Sequence, residues 1–447
     1  MPEYARDTIV ASATPPGKGG IGIVRISGDD AERLAKALIG HVPEPRFATR
    51  ATIHNNNDDE LDNGIALYFP GSASYTGEPV LELHGHGGPL VVASVIDAAV
   101  ELGARRAEPG EFSKRAFLNG KLDLVQAEAI ADLIDSGTSQ AARAALRSLS
   151  GSFSHAVADL QQQLVNLRMH VEAAIDFPEE EIDFLSDDDL LRKMEDCAAA
   201  FAKLQREASI GRVLRDGLQL VIVGKPNVGK SSLLNLLSGQ EAAIVTEVAG
   251  TTRDILRERI EIDGLTVELV DTAGLREDPD RIEAEGIRRA REALRNADGA
   301  LWIQDASEDA AGELDEEIPD DIPVIILRNK IDITGDTPGL TRQQPTTLDV
   351  SAKTGAGIDE LRETIRQLAG YQDLGEGAFT ARRRHVDAIA TAADHFQRGR
   401  EALEKNKAGE LFADDLRLAH GALGGITGAM TSDDLLGRIF SEFCIGK

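Results

Sequence analysis

The sequence predicts a multidomain α/β plus α protein: an α+β unit, then a discontinuous helical part interrupted by an α/β unit with a mostly parallel sheet. Three observations predict it. The chain has 447 residues, enough for about three domains at roughly 150 residues each. Residues 218 to 370 alternate strand-like and helix-like runs, the pattern of a parallel sheet covered on both faces. Ala- and Leu-rich helical composition fills residues 123 to 215 and returns after Gly375.

Each part follows from its residues. Within 1–120, short β-like runs (Gly22 to Ile26, Ile65 to Phe69, Val80 to Leu83) mix with helix-like stretches at Ala31 to Leu38 and Leu90 to Leu102. Residues 121–215 read as helices, at Gln126 to Ile134, Gln140 to Leu149 and Val157 to Ala174. Residues 216–375 hold strands at Leu218 to Val223, Ile260 to Ile262, Val267 to Val270, Ala300 to Ile303 and Val324 to Leu327. Helices are expected there at Ser231 to Leu237, Ile287 to Ala293 and Ile358 to Leu368. Asp263-Gly264 between two strand-like runs is a two-residue hairpin signal, so one strand should be antiparallel. Residues 376–447 are helical again, through Arg382 to Leu403 and Leu411 to Leu423. The two helical stretches are expected to pack together.

Composition excludes several classes. Hydrophobic residues at 42% and charged ones at 28% suit a soluble globular protein, and no apolar run is long enough for a membrane span. The first residues carry Glu3 and Asp7 and fit neither a secretory signal nor a transit peptide, so a cytoplasmic location without membrane attachment is expected. Two cysteines, Cys197 and Cys444, are too few for a disulfide framework or a cysteine-built zinc site. A net charge of −28 disfavours non-specific attraction to DNA, RNA or anionic membranes. The acidic excess is partly local, with 8 acids in Asp176 to Asp189 and 9 in Asp305 to Asp321. Arg382-Arg383-Arg384 is a candidate basic patch, but such a run reads more readily as a solvated helix start.

The chemistry lies in the α/β part. Gly224-Lys225-Pro226-Asn227-Val228-Gly229-Lys230-Ser231 follows an apolar strand and precedes the helical run that starts at Ser232, the strand-loop-helix context that a phosphate-binding loop requires. Its glycines let backbone N–H groups converge on phosphate oxygens at a helix N-terminus. Lys230 should meet the β- and γ-phosphates, and the Ser231 hydroxyl should coordinate Mg²⁺. Asp271-Thr272-Ala273-Gly274 ends the next strand-like run, with Asp271 near the metal and Gly274 beside a γ-phosphate. Asn329-Lys330-Ile331-Asp332 follows another. A carboxylate at Asp332 can accept from both N1–H and the exocyclic amine of guanine, and adenine offers no matching pair. Ser351-Ala352-Lys353 completes the base-contacting loops.

This set resembles the small GTPases of the P-loop class over roughly residues 218 to 370. Many relatives carry Gln after the D-T-A-G run to orient the attacking water. Leu275 stands there in this chain and cannot hydrogen-bond. Asn227 could hold a monovalent cation through its amide oxygen, and the resemblance to cation-dependent GTPases implies K⁺, acting where an arginine finger acts elsewhere. Thr246-Glu247-Val248-Ala249-Gly250-Thr251-Thr252-Arg253-Asp254 would be the loop closing over it.

With Asp7-Thr8-Ile9-Val10, Ala13-Thr14-Pro15-Pro16-Gly17, Pro109-Gly110-Glu111-Phe112-Ser113, Gly250-Thr251-Thr252-Arg253-Asp254 and Phe443-Cys444-Ile445-Gly446-Lys447, the chain resembles the MnmE (TrmE) family of tRNA-modification GTPases over essentially its full length. The resemblance implies a folate-binding and dimerising N-terminal domain, a split helical domain and an inserted Ras-like GTPase. It implies that a homodimer works with the FAD-containing partner MnmG on carbon 5 of the tRNA wobble uridine, adding an aminomethyl or carboxymethylaminomethyl group with a one-carbon unit from a tetrahydrofolate derivative. GTP hydrolysis would drive GTPase-domain dimerisation. GTP contacts are implied at Asn227, Val228, Gly229, Lys230, Ser231, Ser232, from Thr246 through Thr252, from Asp271 through Gly274, and at Asn329, Lys330, Asp332, Ser351, Ala352 and Lys353. Folate contacts map to Arg25, Glu82, Lys121 and Lys447. K⁺ contacts map to Asn227, Thr246, Val248 and Thr251, and Mg²⁺ contacts to Ser231 and Thr252. Glu283 matches the acid that positions hydrolytic water, joining Asp271 and Lys230 in catalysis.

Other signals carry less. Gly17-Lys18-Gly19-Gly20-Ile21-Gly22 satisfies G-x-G-x-x-G but is followed by a strand-like run, where a dinucleotide fingerprint must open a helix. His84-Gly85-His86 reads as a pair on a turn that is structural or lines a ligand, without a third metal ligand. Cys444 lies fourth from the end without the rest of a prenylation signal. The rival reading is a ribosome-assembly type switch GTPase, and a third is a folate-dependent one-carbon transferase in which GTP is structural.

Overall fold

The structure, a computed structural model, describes residues 7–176, 188–238, 257–271, 294, 297–308, 318–319, 322–370, 377–429, 433–441 and 443–446. The chain divides into two compact units, one made of Met1–Ala131, Leu149–Val165 and Asp414–Lys447, the other of Asp132–Ser148 and Asn166–Ala413.

In the first unit, β1 (Ile9–Ser12), β2 (Gly19–Ser27), β3 (Thr49–His54), β4 (Glu60–Phe69), β5 (Val80–Gly87) and β6 (Arg105–Arg106) form one sheet in the order β3-β4-β5-β2-β1-β6. Only β1 and β6 pair in parallel. Alternate residues such as Val24, Ile26, Ala51, Ile53, Leu81 and Leu83 are buried in one core with Leu34 and Leu38 of α1 (Ala31–Ile39) and Ile96 and Ala99 of α2 (Pro89–Glu101), as the two-residue period of a strand requires. Helix α2 opens on Pro89, where the missing N–H costs nothing. The G-x-G-x-x-G run lies at the entrance to β2, so it opens a strand, as expected.

Helices α3 (Glu111–Leu118), α4 (Leu124–Asp135), α5 (Ser139–Leu149), α6 (Ser152–Asp176) and α7 (Asp188–Asp216) follow. The second unit then builds a seven-stranded sheet. Its elements are β7 (Leu218–Val223), α8 (Lys230–Ser238), β8 (Arg257–Ile262), β9 (Leu265–Asp271), β10 (Gly299–Asp305), β11 (Val324–Asn329), α9 (Ile331–Thr334), β12 (Gly339–Gln343), β13 (Thr346–Asp349) and α10 (Ile358–Leu368). The order is β12-β13-β11-β10-β7-β9-β8. The five inner strands are parallel, and the edges β8 and β12 are antiparallel. The β8–β9 hairpin turns on Asp263 and Gly264, both at positive φ (50° and 87°), the pairing that a two-residue turn demands. Strand β7 is buried at nearly every position, which is why its sequence is apolar without alternation. It has β9 on one side and β10 on the other, so the chain reverses its direction of growth here. Ligands of such sheets bind at the carboxyl ends of the strands beside that reversal.

Helix α11 (Arg383–Asn406) packs along α7, with Phe201 and Phe396 rings 5.3 Å apart, and Phe412 of α12 (Gly409–Thr427) lies 6.3 Å from Phe396. In the basic run at the start of α11, Arg383 is exposed, as expected of a solvated helix start, but Arg382 is not. Arg382 is buried and its Nη2 donates to Asp132 Oδ1 at 2.8 Å, and Arg215 Nε donates to the same oxygen at 2.7 Å. A buried guanidinium needs such a partner.

In the first unit, α13 (Asp433–Ser441) contributes Leu436, Ile439 and Phe440 to a small core with Leu124, Ala127 and Phe443. Pro109 and Ile445 form an antiparallel bridge, and the Gly110 N–H donates to Cys444 O at 3.3 Å. Gly446, at φ 98°, is pressed so close that a Cβ would stand 1.9 Å from Ser12 O. Among the described residues, no helix is long and apolar enough to cross a membrane.

Candidate nucleotide-binding site

The loop after β7 has the conformation its glycines foretell. Gly224 (φ 152°) and Gly229 (φ 100°) adopt angles that L side chains rarely take, and Asn227 sits at φ 65°. A Cβ on Gly224 would stand 2.4 Å from Ile303 O of β10, and one on Gly229 2.3 Å from Asn329 Nδ2. The loop therefore lies flat against the neighbouring strand ends. Lys230 begins α8 and is buried. Its Nζ donates to the carbonyls of Gly224 (2.7 Å) and Lys225 (2.8 Å), which hold the ammonium at the head of the loop. Ser231 and Ser232 are exposed in the first turn of α8, where unpaired N–H groups favour an anion.

Asn329 joins three loops. Its Nδ2 donates to Val228 O at 2.8 Å and its Oδ1 accepts from the Ala352 N–H at 2.9 Å, at a residue only 2% exposed. Buried amides persist where both ends are paired. Beside it, Ser351 Oγ donates to Asp332 Oδ1 at 2.7 Å, and Lys353 Nζ lies 3.9 Å from Asp332 Oδ2. The carboxylate that would read guanine is thereby oriented. Lys330 stands at φ 72°, and its Nζ bonds to Asp305 Oδ2 at 2.6 Å. The hydrogen bond from Lys330, then those from the Ser307 hydroxyl and N–H, hold the Asp305 carboxyl at about 2. Sequence reading missed Asp305. Its clue, an acid that ends an apolar strand and opens the acidic stretch to Asp321, acquires meaning only from the pairing of β10 with β11.

Of the other expected nucleotide contacts, Asp271 closes β9 opposite Ile222 of β7. Its side chain lies outside the described residues, as do Thr246, Glu247, Val248, Ala249, Gly250, Thr251, Thr252, Thr272, Ala273, Gly274 and Glu283.

The first unit holds the second group. Arg25 of β2 and Glu82 of β5 face each other across paired strands, with Nε to Oε1 at 2.8 Å. The Arg25 guanidinium lies 5.5 Å from the Tyr75 ring centre and 5.8 Å from that of Phe112, both within cation–π range. Lys121 Nζ donates to Ser72 O at 2.9 Å, on the segment that also carries Tyr75. Lys447 lies outside the described residues. His84 and His86 are on strand β5, not on a turn. His84 Nε2 is 3.1 Å from Glu82 Oε2, while His86 Nδ1 is 2.6 Å from Asp62 Oδ1. Among the described residues, no group of three or more His, Cys, Asp or Glu could hold a metal ion.

Comparison with known proteins decides the family. Residues 8–121 match the family described as GTP-binding protein TrmE N-terminus, and residues 124–444 match the MnmE helical domain. A protein of Pseudomonas syringae pv. tomato named tRNA modification GTPase MnmE is 53% identical over 452 residues, 99% of each chain. The chain belongs to the MnmE family. Relatives of the same name from Stutzerimonas stutzeri (52% over 452 residues) and Yersinia pseudotuberculosis (53% over 450 residues) also align over 99% of both chains. The nucleotide loops fall inside the span matching the MnmE helical domain, and Arg25, Glu82 and Lys121 inside the TrmE N-terminal span. As an MnmE-family member the chain is a GTPase, and the loops around Asn329 are the part of it suited to a guanine nucleotide.

Proposed function

We propose that this GTPase is K⁺-dependent and acts in tRNA modification together with the FAD-containing partner MnmG. Carbon 5 of the wobble uridine would receive an aminomethyl or carboxymethylaminomethyl group, the one-carbon unit coming from a tetrahydrofolate derivative. The observation that carries the nucleotide part of this reading is Asn329. By binding Val228 O and the Ala352 N–H at once, it ties the phosphate loop to the loop that carries Ser351, whose hydroxyl holds the Asp332 carboxylate.

In this reading Lys230 binds β- and γ-phosphate oxygens, and the N–H groups of the Asn227-to-Ser232 turn orient them. Ser231 and Thr252 would hold Mg²⁺. The exposed hydroxyl of Ser231 in the first turn of α8 fits a hard cation that favours oxygen ligands. Asn227, exposed and at φ 65°, would share K⁺ with Thr246, Val248 and Thr251, again an all-oxygen donor set. Bound there, the ion supplies positive charge beside the phosphates where Leu275 supplies no hydrogen bond. Glu283 would position water, and Asp271 would stand near the metal. In the first unit, Glu82 is suited to accept from the N–H edge of a pterin, while Arg25, Lys121 and Lys447 suit carboxylates. The working state is a cytoplasmic homodimer whose GTPase parts associate with GTP and K⁺ and separate after hydrolysis.

The test is reconstitution of purified protein with the flavoprotein partner, tRNA, GTP, a folate one-carbon donor and K⁺, followed by mass analysis of the nucleoside. Modified uridine is expected only with GTP, and GTP hydrolysis should drop when Na⁺ replaces K⁺. Equal hydrolysis in Na⁺ overturns the cation role, and cleavage of ATP as readily as GTP overturns the nucleotide reading.

A further inference from the structure

Strands β10 and β11 run in parallel and in register to their ends, so Asp305 lies directly beside Asn329. The Ala306 N–H donates to Asn329 O at 2.8 Å, which ties the exit of β10 to the start of the base-binding loop. The Asn329 side chain points to the phosphate loop. The next residue, Lys330, takes a left-handed turn, and its ammonium comes back to Asp305 Oδ2 at 2.6 Å. The other oxygen of Asp305 is held too, by the Ser307 N–H at 3.0 Å and the Ser307 Oγ at 2.6 Å. The Asp305 side chain is 9% exposed and that of Lys330 31% exposed. A covered, doubly anchored carboxylate thus fixes a partly exposed lysine.

We propose that Asp305 is a positioning residue for guanine-nucleotide binding: oriented by Ser307, it holds Lys330 in place beside the base position. This rests on the assignment of the Asn329-to-Asp332 loop to the nucleotide. Lysine carries a large rotamer entropy, and fixing it before the ligand arrives moves that cost out of the binding step. Asp305 touches no nucleotide in this account and acts only through Lys330.

The test is calorimetric titration of the full-length protein with GDP in four forms: unchanged, Asp305→Asn, Lys330→Ala and the double variant. Loss of a hydrogen bond to a charged partner should raise the Kd for GDP about tenfold in Asp305→Asn. The same change in the Lys330→Ala background should add less than about twofold, because coupled residues do not add. KM for GTP should rise with Kd in Asp305→Asn while kcat changes much less. Ser307→Ala, which keeps both charges and the fold, should weaken GDP binding by about twofold to threefold; it carries the test should Asp305→Asn fail to fold. An unchanged Kd in both Asp305→Asn and Ser307→Ala overturns the proposal. So does an equal loss from Asp305→Asn with and without Lys330. Failure of the unchanged protein to bind GDP overturns the nucleotide reading itself, a different outcome from the other two.

Discussion

In the proposed reading Asp332 recognises the base, and the Ser351 hydrogen bond leaves its carboxylate little freedom to turn. Two acceptor oxygens match the N1–H and 2-amino donors of guanine. An amide in their place offers one acceptor and one donor pair, which suits the 2-oxo edge of xanthine. Asp332→Asn is therefore expected to raise the KM for GTP by about a hundredfold and to allow XTP to be hydrolysed, as phosphate release with the two nucleotides would show. Unaltered GTP kinetics would remove Asp332 from the base site. Gly224 and Gly229 act at the same scale without side chains, since each occupies a space that a methyl group would have to share with Ile303 O or the Asn329 amide. Their role was legible in the motif because it depends on local backbone angles. The role of Asp305 was not, because it depends on which strand lies next to which.

At the scale of elements, the first unit is held by a charged knot that joins the chain before β1 to β6 and α3. Arg105 bonds to Asp7 Oδ2 (2.6 Å) and Glu111 Oε1 (2.6 Å), while Arg115 bonds to Asp7 Oδ1 (2.7 Å), Glu111 Oε1 (3.0 Å) and Glu78 Oε2 (3.0 Å). Burial alone would raise the Glu111 carboxyl, but the hydrogen bonds of Arg105, the Glu108 N–H and Arg115 outweigh it, and the group lies below its ordinary value. Burial likewise opposes, and Arg105 and Arg115 overcome, at Asp7. A carboxylate lowered on folding stabilises above its unfolded value of about 4 and loses that contribution as pH falls through the lowered one. The Tm should thus fall more steeply below about pH 4 in the unchanged protein than in Glu111→Gln, which should cost about 1–3 kcal/mol at neutral pH. Parallel pH profiles measured by calorimetry would contradict this. These polar contacts also explain what the sequence concealed. Helix α3 buries Glu111, Ser113 and Arg115, against the usual apolar stripe, and β6 is two arginines that count as a strand only through pairing with β1. Strand β12 is exposed along most of its length and so has no apolar alternation to read. Strands β7 and β11 and helix α10 were legible because burial wrote itself into their composition.

The whole molecule carries a charge of −28, which favours dispersion over non-specific association. Its two thiols stand in opposite settings. Cys197 is 1% exposed, and burial, with the Asp196 charge second, pushes its thiol up to about 12. Cys444 is exposed. Since the thiolate is the reactive form, a disulfide reagent at pH 8 should modify one thiol in the native protein and the second only after denaturation, as absorbance and mass would record. Two equivalents consumed without denaturant would refute the buried setting of Cys197. The bridge from Pro109 to Ile445, with Gly446 wedged against Ser12, makes the first unit an arc closed by its most distant segment. During synthesis the six strands, all within residues 9–106, can therefore assemble early on the ribosome, yet the partner of Pro109 emerges only after the entire GTPase insert has been translated, so completion of the first unit is necessarily a late, long-range event.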